Sequence, residues 1–377
     1  MTTRVALVLA ASTGGIGRHV ASLAAGLTAR GIEVSVVGPA ATDERFDFTG
    51  RGAVFMPVDT SAGPAAVAHL RRALVAIRPD VVHAHGLRAG LVSGLSRPHR
   101  RAPATADMRP NRPAPVPLVV TWHNAVLAEG LRGTVFRLLE RRVARAADVT
   151  LGASADLVAR ATALGGRDVR LGAVAAPELA APARSGADVR EELGVAEGQP
   201  LVLSVGRLHP QKGYDILIAA ASRWRTRTPA PVVAVAGTGP AYLHLAALAS
   251  SERAPVALLG HRSDVPDLLG AADLAVVTSV WEARQLFAQE ALRAGVPLVA
   301  TGVGGLPELV GDAAVLVPPK DVDALDAAVT ALLDDPARRA ELAERGRDRA
   351  ATWPTEQQTV DRVRAVYAEL TGQPAER

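Results

Sequence analysis

The chain has no cysteine, which excludes disulfides and any redox or zinc chemistry built on thiolates. Lysine is nearly absent as well: Lys212 and Lys320 are the only two among 42 basic residues. Aromatic residues make up 3% of the chain. No apolar run reaches the roughly 18 residues of a membrane span. The nearest, Gly295 to Val317, is broken by glycines, prolines, Glu308 and Asp312. The N-terminus carries one arginine and then Val5–Leu9, too short for the apolar region of a secretory signal, so a cytoplasmic location is expected.

What is present is an ordinary globular composition. Of 377 residues, 49% are hydrophobic and 21% charged, which suggests about two domains. The net charge of +4 hides an asymmetry. Residues 1–185 hold 23 arginines against 13 acids, a net of +10; the remainder holds 19 basic residues against 25 acids, a net of −6. A basic half suits a phosphate-rich partner, either membrane lipid or nucleic acid, or another anionic molecule. Arginine-biased codon usage accounts for the same count.

Short Val/Leu/Ala runs alternate with amphipathic stretches along both halves. Strands buried on both faces read as continuous apolar runs, and βα alternation implies parallel sheets covered by helices. The expected fold class is therefore α/β, with two Rossmann-like doubly wound domains. The boundary falls in the Ala/Pro-rich stretch Ala173–Ala187. Residues 1–183 form the first domain and 184–354 the second, with 355–377 crossing back onto the first. Ser96–Pro117, rich in Arg and Pro, reads as an insertion.

Two segments carry the chemistry. After the apolar run Leu201–Val205 comes Gly206-Arg207-Leu208-His209-Pro210-Gln211-Lys212-Gly213, which offers a planar guanidinium and a compact ammonium to phosphate oxygens. It lacks P-loop spacing. After Leu274–Thr278 come Glu282 and Glu290. Glu282 is expected in the loop and Glu290 in the first turns of the following helix. That places both at the C-terminal sheet edge, where open α/β folds bind ligands. Further forward, Gly14-Gly15-Ile16-Gly17 opens the first helix, where backbone amides can approach a phosphate. It does not match the dinucleotide fingerprint, which counts against an NAD-dependent oxidoreductase.

The histidines divide. His83, His85 and His123 follow strands of the first half. His-x-His could suggest a metal, but no third ligand at suitable spacing is evident. His123 reads better as a hydrogen-bonding group for a sugar or acceptor, and His83 as structural. Asp321-Val322-Asp323 reads as a helix cap rather than a cation site.

Together these residues resemble the family 4 glycosyltransferases, retaining enzymes of the GT-B fold, over nearly the whole chain. The resemblance rests on the motifs above with Asp80–Gly86, Ala236-Gly237-Thr238-Gly239-Pro240 and Thr301–Glu308. It implies a UDP- or GDP-sugar donor in a cleft faced by the two domains, and no metal or other cofactor. Arg207 and Lys212 would bind the diphosphate, Glu290 the ribose, and Arg262 would lie by the base. Glu282 would sit beside the transferred sugar and His123 near its far hydroxyls, with Gly15, Ile16 and Gly17 closing over the phosphates. The segment Ala283–Gln289, with Arg284, Leu286 and Phe287, departs from the usual Gly-rich, Pro-containing pattern, so it does not define the sugar. Arg284 reads equally as a sugar-facing cation or as surface.

The expected activity is transfer of a sugar to an acceptor, an anionic lipid, glycan or sugar phosphate by the charge of the first half. Peripheral contact with the inner face of a membrane fits the same charge, and no nucleic acid partner is expected. A nucleotide-sugar epimerase on the same fold, or a non-catalytic nucleotide-sugar-binding module, remain as alternatives.

Overall fold

The computed structural model describes residues 2–12, 14–61, 63–99, 114–172, 174–175 and 178–372. The chain divides into two units, Met1–Pro177 with Pro354–Arg377, and Glu178–Trp353.

In the first unit the elements run β1 (Arg4–Leu9), α1 (Gly15–Thr28), β2 (Glu33–Gly38), α2 (Ala40–Phe46), β3 (Val54–Pro57), α3 (Pro64–Ile77), β4 (Val81–His85), α4 (Leu87–Ser96), β5 (Leu118–Trp122), α5 (Gly130–Ala146), β6 (Val149–Gly152), α6 (Ala155–Ala163) and β7 (Val169–Leu171). In the second they run α7 (Gly186–Glu192), β8 (Leu201–Val205), α8 (Tyr214–Trp224), β9 (Val232–Ala236), α9 (Tyr242–Ser251), β10 (Val256–Gly260), α10 (Val265–Ala271), β11 (Leu274–Val277), α11 (Leu286–Ala294), β12 (Leu298–Thr301), α12 (Leu306–Val310), β13 (Val315–Val317), α13 (Val322–Asp334) and α14 (Pro336–Ala351). The last helix, α15 (Glu356–Thr371), belongs to the first unit.

Both sheets are parallel throughout, in the orders β3-β2-β1-β4-β5-β6-β7 and β10-β9-β8-β11-β12-β13. Strand alternation feeds two cores per sheet. In β8, Leu201 and Leu203 enter one cluster and Val202 the opposite one; Ala275 and Val277 against Leu274 and Val276 do the same in β11. Each such fully buried Val or Leu contributes about 1.5–3 kcal/mol of transfer free energy. The order reverses between β1 and β4 in one sheet and between β8 and β11 in the other. At such a switch point neighbouring loops diverge and leave a crevice at the carboxyl ends of the strands.

The boundary lies earlier than residue 183. Residues 178–183 belong to the second unit, because the Ala183 N–H donates to Asp267 at 2.6 Å and Leu179 packs on that unit's core. Pro354 falls with the first unit. A Thr355/Gln358 capping box starts α15, and its Val360, Val363, Val366 and Tyr367 join the core beneath α1. Residues 100–113 of the expected Arg/Pro-rich insertion lie outside the described residues. Among the described residues no helix is long and apolar enough to cross a membrane.

Candidate active site

The loops after β8, β11 and β12 are sewn together at the second switch point. Gly206 N–H donates to Ala236 O and Leu208 N–H to Thr238 O, both at 2.9 Å, so the loop is anchored to the one after β9. Leu208 is fully buried as its plug. His209 then caps a 3₁₀ turn, Pro210–Lys212, by accepting from Gln211 N–H at 3.2 Å. Gly213 ends the turn with φ of 62°; a Cβ there would lie 2.2 Å from Thr278 O, so only glycine fits. Gln211 O accepts from Val280 N–H (2.8 Å), Thr278 Oγ1 donates to Lys212 O (2.9 Å), and Gln211 Nε2 donates to Trp281 O (2.9 Å).

These bonds bring the predicted cation and the predicted acid together. Lys212 Nζ lies 2.5 Å from Glu282 Oε1, and Ser279 Oγ donates to the same oxygen at 2.7 Å. Glu282 is 8% exposed. Its backbone is fixed as well: Glu282 O accepts from Gly305 N–H at 2.8 Å, and Gly304, at φ of 53°, leaves no room for a Cβ beside that carbonyl. Thr301 Oγ1 donates to Ser279 O at 2.6 Å, tying in the end of β12. Arg207 is exposed on the same loop as Lys212. Burial, followed by the charges of Arg207 and Lys212, lowers the pKa of His209, which places both cations near one imidazole. The site is thus a preset pair of charges with a second cation open to solvent, an arrangement suited to holding an anion.

The other expected residues distribute differently. Glu290 is half-buried in the second turn of α11, and Leu286 opens that helix, also half-buried. Phe287 is a core side chain, 3% exposed, so the expected donor contact does not come from its ring. Arg262 is held by Asp264 and Glu192, each at 2.5 Å, and burial is outweighed by those carboxylates, which raise its pKa. Arg284 is not surface: it sits over the Trp353 ring, 5.9 Å from the centroid, and burial draws it down to about 10. Gly15 is open, and Ile16 half-exposed. Gly17 is buried, its N–H bonded to Ser12 Oγ (3.1 Å); a Cβ there would strike the Phe46 ring, so this glycine serves packing of α1 on α2 rather than an open phosphate cradle. Asp321 accepts from Ala324 N–H at 2.9 Å as the cap of α13.

At the switch point of the first unit lies a nest of imidazoles. His123 is buried, and its Nε2 is 3.2 Å from His85 Nδ1. His83 is spent on structure, between Tyr367 OH (2.6 Å) and Thr121 Oγ1 (2.7 Å). The unexpected member is His19 from α1, with its ring 5.5 Å from His85 and 5.3 Å from His123. Burial lowers His19 to about 4 and His83 to about 3, and holds His85 and His123 well below the usual range; neighbouring imidazoles add to the shift for all but His19.

Two doubly wound parallel sheets with this site define a glycosyltransferase of the GT-B type. The glycosyl transferase 4-like domain matches residues 14–177, and the glycosyl transferases group 1 domain matches residues 187–349. The chain is 32% identical to a glycogen synthase of Mycobacterium tuberculosis, over 91% of this chain and 88% of that protein. It is 31% identical to a D-inositol 3-phosphate glycosyltransferase of Kineococcus radiotolerans, over 89% and 86%. Its fold matches the crystal structure of Anabaena Alr3699/HepE in complex with UDP-glucose with a TM-score of 0.78, at 20% identity over 98% of this chain and all of that one. The chain belongs to the family 4 glycosyltransferases.

Proposed function

We propose that this enzyme moves a hexosyl group from a UDP- or GDP-activated donor to an acceptor with retention of anomeric configuration. The observation that carries the reading is the Lys212–Glu282 pair fixed at the switch point, with Arg207 open beside it. The donor's diphosphate would engage Lys212 and Arg207. The C1–phosphate bond breaks, the acceptor oxygen takes its place at C1 on the same face, and the acceptor's proton passes to the leaving phosphate. Charge gathering on that phosphate is stabilised by preplaced cations, worth about 3 kcal/mol per donor removed. No divalent ion is required at the diphosphate on this reading. Glu282 would face the transferred sugar, Glu290 would accept from the ribose hydroxyls, and the Arg262 guanidinium, clamped by two carboxylates, would present a flat face to the base.

The acceptor is proposed to be anionic and to meet the basic first unit, where His123 offers a neutral imidazole. The name of one relative, a D-inositol 3-phosphate glycosyltransferase, points the same way. Peripheral contact with an anionic membrane surface is supported by α5: Leu131, Val135 and Leu138, at 83, 49 and 61% exposure, form one outward stripe, with exposed Arg132, Arg141, Arg142 and Arg145 on the same helix. Its single acid, Glu140, is buried against Arg160.

Calorimetry with UDP, GDP and NAD tests the donor class. Heat with UDP or GDP that disappears in Lys212→Ala is expected. Binding of NAD alone, or undiminished UDP binding in the variant, overturns the assignment. Conversion of a nucleotide sugar with no acceptor present would reveal an epimerase instead.

A further inference from the structure

The His-x-His pair has the third imidazole that the sequence spacing hides. One ring nitrogen from each of His19, His85 and His123 falls in a group whose members lie within 4.8 Å of one another, and all three side chains are buried. We propose that these three histidines form a binding site for a borderline transition-metal dication of the zinc type, unrelated to the donor diphosphate.

The geometry is close to what such an ion requires. Two nitrogens bound to a tetrahedral zinc at about 2.05 Å are about 3.3 Å apart. His85 Nδ1 and His123 Nε2 already stand at 3.2 Å, so the ion would replace the single proton they share. Three neutral imidazoles with no carboxylate or thiolate among them suit zinc, cobalt or nickel and disfavour magnesium. The charge-free form of these rings at neutral pH leaves their lone pairs available. His83 does not compete, since both its nitrogens are committed, and it packs 4.3 Å from His85 as a support.

Access exists from one side. A cavity of about 250 Å³ reaches His19 and is walled by Thr121, Gly172, Thr359 and Val363. Three protein ligands leave the fourth position to water. Bound there, the ion withholds from an acceptor the imidazole of His123, so occupancy lowers transfer; that consequence rests on the acceptor role proposed above, whereas the site itself does not.

The test uses the full chain, washed with chelator and titrated with ZnCl₂ or MgCl₂ in a calorimeter. One zinc per chain is expected, with no response to magnesium, and affinity falling at least about tenfold in His19→Ala and in His85→Asn. Equal zinc affinity in both variants assigns the binding to exposed histidines such as His244 and His261 and overturns the proposal. Should either variant unfold, the visible spectrum of cobalt-loaded wild-type protein decides: tetrahedral bands support the site, and an octahedral, water-like spectrum sinks it. These readouts involve no turnover, so failure of the donor assignment leaves them unaffected.

Discussion

Lys212 Nζ and Glu282 Oε1 stand 2.5 Å apart although 70 positions separate the two residues in the chain. The pair is part-buried, so removing one partner strands the other. In Lys212→Met and Glu282→Gln single variants, urea unfolding should show a loss, partly recovered in the double variant. The coupling is expected at about 1–3 kcal/mol. On the diphosphate role proposed for this cation, turnover should fall on the order of 100-fold in Lys212→Met. Additive stabilities across the cycle would show that the contact carries no energy.

Arg207 separates binding from folding. It is exposed and lies on the same loop, so Arg207→Ala should leave the unfolding midpoint near wild type. On its proposed diphosphate role, the effect is expected in donor affinity and kcat/KM. A variant that melts early with unchanged kinetics assigns this arginine to structure.

Gly213 and Gly304 pin the two charges from behind. Both have left-handed φ, and a Cβ on either would meet a carbonyl oxygen at 2.2 or 2.0 Å. Gly304→Ala is therefore expected to cost about 2 kcal/mol or more in unfolding free energy and to reduce activity by moving Glu282. The same substitution at Gly15, where a Cβ meets nothing within 4 Å, serves as the control for stability.

What was legible in the sequence follows from how local each signal is. Strand β8 reads off directly, because a buried parallel strand is a bounded apolar run. Lys212 and Glu282 were legible as charges in loops after two strands; their ion pair was not, because the adjacency of β8 and β11 is set by strand order and not by local sequence. Helix α4 was not, because Gly90 and Gly94 look like breakers. In the structure Gly90 lets α4 approach Val143 and Val120, where a Cβ would be 2.8 and 3.0 Å away. Short α2, α7, α10 and α12 offer too few turns for a period to show. His19 had no signal beside a glycine loop; only the register of β1 against β4 brings it to His85. Of the Arg262 clamp only Asp264 is local in sequence, while Glu192 is remote, and Phe287 looked available because periodicity cannot tell a core face from a site face.

The imidazole nest makes the first unit acid-sensitive. His19 and His83 have folded pKa values of about 4 and about 3, below the unfolded value near 6.5, with His85 and His123 shifted the same way by burial. The unfolded chain therefore binds more protons in this window. The stability is fully present above pH 6.5 and is lost as pH falls toward 4 and then 3, at up to about 1.4 kcal/mol per pH unit per histidine. Chelator-washed protein should show a steep drop in urea midpoint between pH 6.5 and 4.5. His83→Gln should make it shallower by one histidine's share, at most about 1.4 kcal/mol per pH unit. A midpoint independent of pH across that span contradicts neutral burial of these rings.

Arg284 belongs to the architecture of the second unit. Its guanidinium and that of Arg293 each lie 5.9 Å from the Trp353 ring centroid. A cation–π contact of this sort contributes about 0.5–2 kcal/mol. Arg284→Ala should lower the melting temperature and change tryptophan fluorescence while the donor KM stays within about twofold of wild type. A large rise in KM with an unchanged melting temperature would return Arg284 to the sugar.

The outward face of α5 should decide whether the acceptor is reached at a lipid surface. Leu131 and Leu138 are more exposed than a helix in bulk water gains from, and arginines dominate the charge around them. Each arginine near an anionic bilayer adds about 1 kcal/mol, screened by salt. Wild-type protein should sediment with vesicles containing phosphatidylglycerol, less so in high salt, and hardly at all with neutral phosphatidylcholine. Leu131→Asp combined with Leu138→Asp should abolish sedimentation without shifting the melting temperature, since neither side chain contributes to the core. If transfer to a soluble sugar phosphate persists in that variant, the stripe serves location and not chemistry. If wild-type protein ignores both vesicle types and is dimeric in solution, the stripe is covered by a second copy of the chain, and the membrane reading fails.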